Sequence, residues 1–316
     1  MGRIVVISNP LSRRNRDRKG RLERLLACYP DVMFRELADI AEIPRIFVEI
    51  EALNPDLVVI NGGDGTVIAI ATHVISNGLS ARMPPFAVLP GGQTNMIASD
   101  LGTAVSPERT MARLRGLVQT GNLDRYVSPR PFLRLDRKGV DPIYGTFFGT
   151  AAIVHVILFC RRHIFPLRVP RFVALVLAAV VLVAVGLWPG KGRRAVFPPG
   201  RISYTVDGKA KTTEELFLFF ATTLDNLVLA LSFPHEPERG AIQVTTVTYA
   251  HKSIMRALWT LITRRNHGAS GLGTYTTRRL GIELDGPFTL DGELFKPEGR
   301  ETIQLSEGPS LRFVKF

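Results

Sequence analysis

The chain has 316 residues, 46% hydrophobic and 22% charged, long enough for two domains with cores of their own. Its 40 Lys and Arg against 28 Asp and Glu give a net charge of +12, and its two cysteines, Cys28 and Cys160, form neither a disulfide framework nor a zinc spacing. The excess is uneven: residues 1–125 carry 15 basic and 13 acidic residues, residues 126–316 carry 25 and 15, and eight Arg or Lys but no acid lie between Asp141 and Asp207. A half of that kind suits an anionic membrane surface, nucleic acid or an ordinary solubilising surface, and the chain has no recognisable nucleic-acid motif.

Residues 1–6 hold no secretory leader and run straight into a strand over residues 3–7, so a reducing cytoplasm is the expected setting. Ser8-Asn9-Pro10 ends that strand, and a loop rich in arginine follows (Arg13, Arg14, Arg16, Arg18), which fits a phosphate contact and a solvated surface equally well. A helix is expected over residues 20–29, a strand over 32–37, and a second helix, capped by Asp39, to about residue 53. The apolar run from Leu57 ends in Gly62-Gly63-Asp64-Gly65-Thr66 and passes into a helical stretch, residues 67–75. A strand over residues 85–89 breaks at Pro90-Gly91-Gly92-Gln93-Thr94-Asn95, followed by helices over 96–101 and 107–118. Strands alternating with helices predict a parallel sheet covered on both faces, with ligands at the carboxyl ends of its strands. Asn9 and the two glycine turns all fall at such ends.

The Gly62–Thr66 turn offers backbone N–H groups at a helix N-terminus, where anions bind, and its glycines let the main chain approach a phosphate closely. Asp64 is the odd member, because a carboxylate beside phosphate oxygens repels them unless it holds a metal, takes a proton or caps the helix.

Near Tyr126 the pattern changes to short strands, expected over residues 132–136, 145–148, 201–206, 216–221, 242–246, 281–285, 301–305 and 310–314. They read as a β-sandwich with two helical insertions. Residues 172–188 carry no charge, a length at the lower end for a membrane span, and are expected as a helix buried in the fold or dipping into one leaflet. Residues 252–265 form a basic amphipathic helix with Ile254, Leu258, Leu261 and Ile262 on one face and Trp259 beside it, suited to a membrane surface or to packing on the sandwich. The six histidines are scattered without ligand spacing.

Together the Gly62-Gly63-Asp64-Gly65-Thr66 turn, the Pro90–Asn95 turn, the late Asp291-Gly292-Glu293 and the opening Asn9-Pro10-Leu11-Ser12 resemble the diacylglycerol kinase catalytic-domain family, which includes bacterial diacylglycerol kinases, sphingosine kinases and ceramide kinases. Their order and spacing hold over nearly the whole chain. The resemblance implies a Rossmann-like α/β nucleotide domain, similar to those of phosphofructokinase and NAD kinase, over residues 1–125, and a β-rich lipid-binding domain over 126–316 whose last strand is free to pack back on the first domain. It implies an ATP-dependent lipid kinase. ATP would contact Asn9, Ser12, Gly62, Gly63, Asp64, Gly65, Thr66, Gly91, Gly92, Thr94 and Asn95, and Asp64 would engage Mg2+ or the phosphates. Asp64 or Glu293 would act as the catalytic base, Glu293 being the favoured one, with Asp291 in support. The acceptor would be diacylglycerol or a ceramide or sphingoid lipid, at the inner face of the cytoplasmic membrane. The chain departs from the family where Ile68-Ala69 replace an Asn-Glu pair, where Gln93 replaces a Thr, and where residues 238–243 replace an acidic metal-binding stretch. The alternatives are a soluble-metabolite kinase related to NAD kinase and a catalytically inactive membrane-binding regulator.

Overall fold

The computed structural model describes residues 3–17, 20–164, 177, 180, 181, 183, 184, 188, 194, 197–209, 212–227, 241–263 and 271–316. The fold is mixed α/β and divides into two compact units. One comprises Met1–Pro131, Asn226–Val228 and Pro309–Phe316; the other comprises Phe132–Asp225 and Leu229–Gly308.

The first unit is built on β1 (Ile4–Ser8), β2 (Val32–Glu36), β3 (Leu57–Gly62) and β4 (Phe86–Pro90). All pair in parallel, in the order β2-β1-β3-β4, and Phe313 adds a parallel partner at Phe86. The runs IVVIS, LVVING and FAVLP are buried along their whole length, as strands covered on both faces must be. Between β2 and β3, Asp39 accepts a hydrogen bond from the Ala41 amide and caps a short 3-10 turn that leads into the helix Ile43–Leu53. Ile43, Ile46, Phe47 and Ile50 of that helix recur at helical spacing and are buried. Asp100, nearly fully buried, pairs with Arg130 at 2.9 Å and accepts the Asn226 amide at 2.8 Å.

In the second unit the strands are antiparallel. Their order is Glu293–Phe295, Phe288–Leu290, Phe147–Ala151, Thr212–Thr222, Gly200–Val206, Arg279–Leu284 and the first part of Glu301–Val314. Thr212–Thr222 is the hub. Its early residues pair with Gly200–Val206, its later ones with Phe147–Ala151, and Ile242–Thr248 runs along it as well. Phe148, Leu216, Phe219, Val244, Ile282, Phe288 and Leu305 form its core.

Two expected strands near the C-terminus are one, Glu301–Val314. Gly308 and Pro309 look like a break in sequence, but the strand runs on through them. A Cβ at Gly308 would lie 2.9 Å from the Phe132 carbonyl oxygen, so glycine permits a close pass. The helix Asp64–Ser76 begins three residues before its expected start. The uncharged residues 172–188 fall largely outside the described residues, as do Arg264 and Arg265 of the basic helix and Glu238, Arg239 and Gly240 of the metal-binding comparison. Among the described residues no helix is long and apolar enough to cross a membrane.

Candidate functional site

At the carboxyl ends of β1, β3 and β4 three turns lock together. Asn9 donates through Nδ2 to the Thr66 hydroxyl at 2.9 Å, and its Oδ1 accepts the Leu11 amide at 2.8 Å. The Ser12 hydroxyl accepts the Gly63 amide at 3.3 Å. The Gly91 amide donates to the Gly62 carbonyl at 3.0 Å. The glycines are required by contact. A Cβ on Gly62 would lie 2.7 Å from Thr66 Cβ, one on Gly91 would lie 3.0 Å from Gly62 Cα, and one on Gly92 would overlap Gly63 Cα. Two main chains meet there with no room for a side chain between them.

Gly65 is different: among the described residues, a Cβ built on it meets nothing within 4 Å. It lies in the first turn of the helix Asp64–Ser76, whose N-cap is Gly63. The Thr66 and Val67 amides return to the Gly63 carbonyl and the Gly63 amide goes to Ser12. The amides of Asp64 and Gly65 therefore have no place in the helix's own ladder, and they head a helix dipole.

Asp64 does act as a cap, but for another helix. Its Oδ1 accepts the Ile97 amide at 3.1 Å, in the first turn of Met96–Asp100. Its own helix has no side-chain cap. Asn95 enters Met96–Asp100 in the left-handed region (φ 46°), where Asn is tolerated better than most residues. It is buried and bonds Gly92 twice, taking the Gly92 amide at 2.7 Å and donating to its carbonyl at 3.1 Å. Thr94 is half-buried in the same turn.

Asn15 was not legible as a site residue in the sequence. Its Nδ2 donates to the carbonyls of Asn9 (2.8 Å) and Asn61 (3.1 Å), and its side chain is the nearest neighbour of a Cβ on Gly91. Asn61 in turn donates to the Ser8 hydroxyl at 2.9 Å. The only sequence signal was the position of Asn15 in the segment after β1, expected as a loop but folded over Arg13–Asp17 as a short helix.

Asp291 and Glu293 belong to the second unit. Leu290 and Glu293 pair across a two-residue turn, and Asp291 (φ 49°) and Gly292 (φ 88°) both have the positive φ of a type I′ hairpin. Asp291 is tied down. Its carboxylate accepts the Thr146 amide (2.8 Å), the Thr146 hydroxyl (2.6 Å) and the Phe147 amide (3.1 Å), and its own amide donates to the Phe147 carbonyl (2.8 Å). A Cβ at Gly145 would overlap the Asp291 carboxylate. Asp291 thus joins the hairpin to the neighbouring strand, while Glu293 stands exposed at the hairpin's exit.

Mg2+ holds most of its own waters and takes one or two carboxylates plus substrate phosphates. Asp64 suits that demand beside the amides of its turn. Among the described residues no three His, Cys, Asp or Glu side chains cluster as a metal cage.

The first unit is thus an α/β sheet with a glycine turn at a helix N-terminus, a kind of place that suits an anion. Residues 3–123 match the family model of the diacylglycerol kinase catalytic domain, and the resemblance carried by the motifs is shown over that segment. That segment is therefore similar to the catalytic domain of diacylglycerol kinases. No curated protein matches the chain. A solved structure of a diacylglycerol kinase from Bacillus anthracis str. Sterne aligns with a TM-score of 0.60 and 14% identity, covering 99% of this chain and 97% of the other. Two more structures from that organism, provisionally assigned to the same enzyme, align with TM-scores of 0.62 and 0.61, each with 15% identity and the same coverage. At such identities the likeness is one of fold.

Proposed function

We propose that the chain is an ATP-dependent lipid kinase that transfers the γ-phosphate to the hydroxyl of a membrane lipid of the diacylglycerol or ceramide and sphingoid type. The observation that carries this reading is the contrast among the glycines: Gly62, Gly91 and Gly92 are filled by their neighbours, whereas Gly65 faces open space beside the Asp64 carboxylate and the helix N-terminus. A glycine that packing does not require leaves room for a ligand, and the charge there favours phosphate.

Phosphoryl transfer needs the donor held, its charge neutralised and a carboxylate near the attacking hydroxyl. In this reading the Asp64 and Gly65 amides hold phosphate oxygens, and Asn9, Ser12, Gly91, Gly92 and Asn95 keep the turn in shape. Asp64 is the residue that would hold Mg2+ arriving with ATP, whose charge would neutralise that of the phosphates. The acceptor oxygen bonds the γ-phosphorus, the bond to the β-phosphate oxygen breaks, and ADP leaves. Glu293 takes the hydroxyl proton as the transition state forms.

What supports a membrane-borne acceptor is the surface of the second unit. Both tryptophans of the chain are exposed, Trp188 at 55% and Trp259 at 59%. On the helix His251–Thr263, Ile254 and Ala257 are buried, while exposed Met255 and Trp259 stand beside exposed Lys252 and Arg256. Apolar and cationic side chains on one face fit an anionic bilayer surface.

The test is incubation with γ-labelled ATP, Mg2+ and a panel of dispersed diacylglycerol, ceramide, sphingosine and monoacylglycerol, with soluble NAD alongside. Label in one lipid is the expected result. Label in NAD alone moves the chain to the soluble-metabolite kinases, and no label in any acceptor overturns the kinase reading.

A further inference from the structure

We infer that Arg161 is a positioning residue for Glu293, holding the backbone that presents the proposed base; this rests on the function proposed above. Arg161 lies in the turn Cys160–Ile164, wound with π geometry directly after the helix Ala152–Phe159. Cys160 and Ile164 are buried, with Val156 and Phe159 packed against them, so the turn is anchored while Arg161 itself stands exposed. Its Nη2 donates to the Gly292 carbonyl at 2.7 Å, across 131 positions of sequence. That carbonyl belongs to the peptide whose nitrogen is Glu293's own.

The hairpin does not need this bond to form. Asp291 and Gly292 already have the φ angles of the turn, Leu290 pairs with Glu293, and the Asp291 carboxylate fixes one side through Thr146 and Phe147. Water would satisfy an exposed carbonyl equally well. What the guanidinium adds is direction. It pins the far side of the tip, so the peptide leading into Glu293 is held between an anchored helical turn and a neighbouring strand.

The test compares R161A, R161K and E293Q with wild type in the lipid phosphorylation assay, with KM for ATP and thermal unfolding measured on each. For R161A we expect kcat to fall about ten- to a hundredfold, the scale of a misplaced catalytic group. KM for ATP should stay within about twofold, and Tm within about 2 °C, as for a surface substitution. R161K should recover part of kcat, because an ammonium can donate to the same carbonyl. Wild-type kcat in R161A overturns the inference, as does a loss that follows a lowered Tm or that appears in KM for ATP instead. E293Q separates the two levels. Inactive E293Q with fully active R161A sinks the role of Arg161 alone, whereas wild-type turnover in E293Q removes the base assignment and Arg161 with it.

Discussion

The two turns that carry the candidate residues are held by opposite means. In the first unit the turns at Gly62 and Gly91 press main chain against main chain, and neutral side chains (Asn9, Asn15, Asn95) lace them together. In the second unit the Asp291-Gly292 tip is held by charged groups, a carboxylate with three donors on one side and a guanidinium on the other. The first arrangement therefore depends on the absence of side chains, and the second on their charge. A methyl group should break the first, and loss of the Asp291 carboxylate the second.

The largest effect is expected from Gly92→Ala, since the new Cβ would overlap Gly63 Cα and backbone cannot swing aside as a side chain does. Overpacking of this kind should destabilise by ~3 kcal/mol, read as a large fall in the denaturant midpoint. A midpoint near wild type would show that the two turns are not rigidly apposed.

Asp291→Ala should come next, at about 2–3 kcal/mol, from donors left without their charged acceptor and from a residue ill-suited to φ 49°. Asp291→Asn, which keeps one accepting oxygen and suits that φ, should lose less. Wild-type stability in Asp291→Asn would show that the clamp does not depend on charge.

Acid should act on both units through histidine. His73 in the first and His155 in the second are held below the ordinary imidazole range by burial, although Glu51 partly opposes this at His73. Unfolding lets each take up a proton, so the unfolded chain binds more protons. Stability should then fall as pH drops below about 6.5 toward the depressed folded values. His155→Gln should flatten that part of a stability-against-pH curve, and an unchanged slope would remove His155 as a contributor.

Gly65→Ala should have the smallest effect on stability and is the sharpest test of the comparison. Nothing among the described residues opposes the new methyl, and alanine is favoured over glycine in a helix by up to ~1 kcal/mol. Tm should hold or rise slightly while KM for ATP increases. A falling Tm would mean that Gly65 is needed by the fold, and an unmoved KM would take ATP away from this turn.

The parallel sheet was legible because its strands are apolar on both faces and each ends at a turn signal, as at Ser8, Gly62 and Pro90. The role of Asp64 was only half legible. Sequence proximity suggested a cap on its own helix, whereas the partner is Ile97, 33 positions on. The hairpin at Asp291 could be read from Asp-Gly, but not its grip on Thr146, because a hydrogen bond across 145 positions leaves no local pattern. Phe288–Leu290 and Glu293–Phe295 escaped because three residues are too few to show alternation, and Leu272–Thr277 because LGTYTT has no apolar face. Ala152–Phe159 is apolar nearly throughout, and a run of eight such residues fits strand and helix alike.

The edge of the first sheet beside β4 is completed by Phe313, and Arg312 next to it donates to the Met83 carbonyl from 229 positions away. A ribosome releases β1 to β4 long before it makes that strand. The parallel sheet accordingly spends most of synthesis with the edge of β4 unpaired, and its closure waits until the whole intervening chain has emerged.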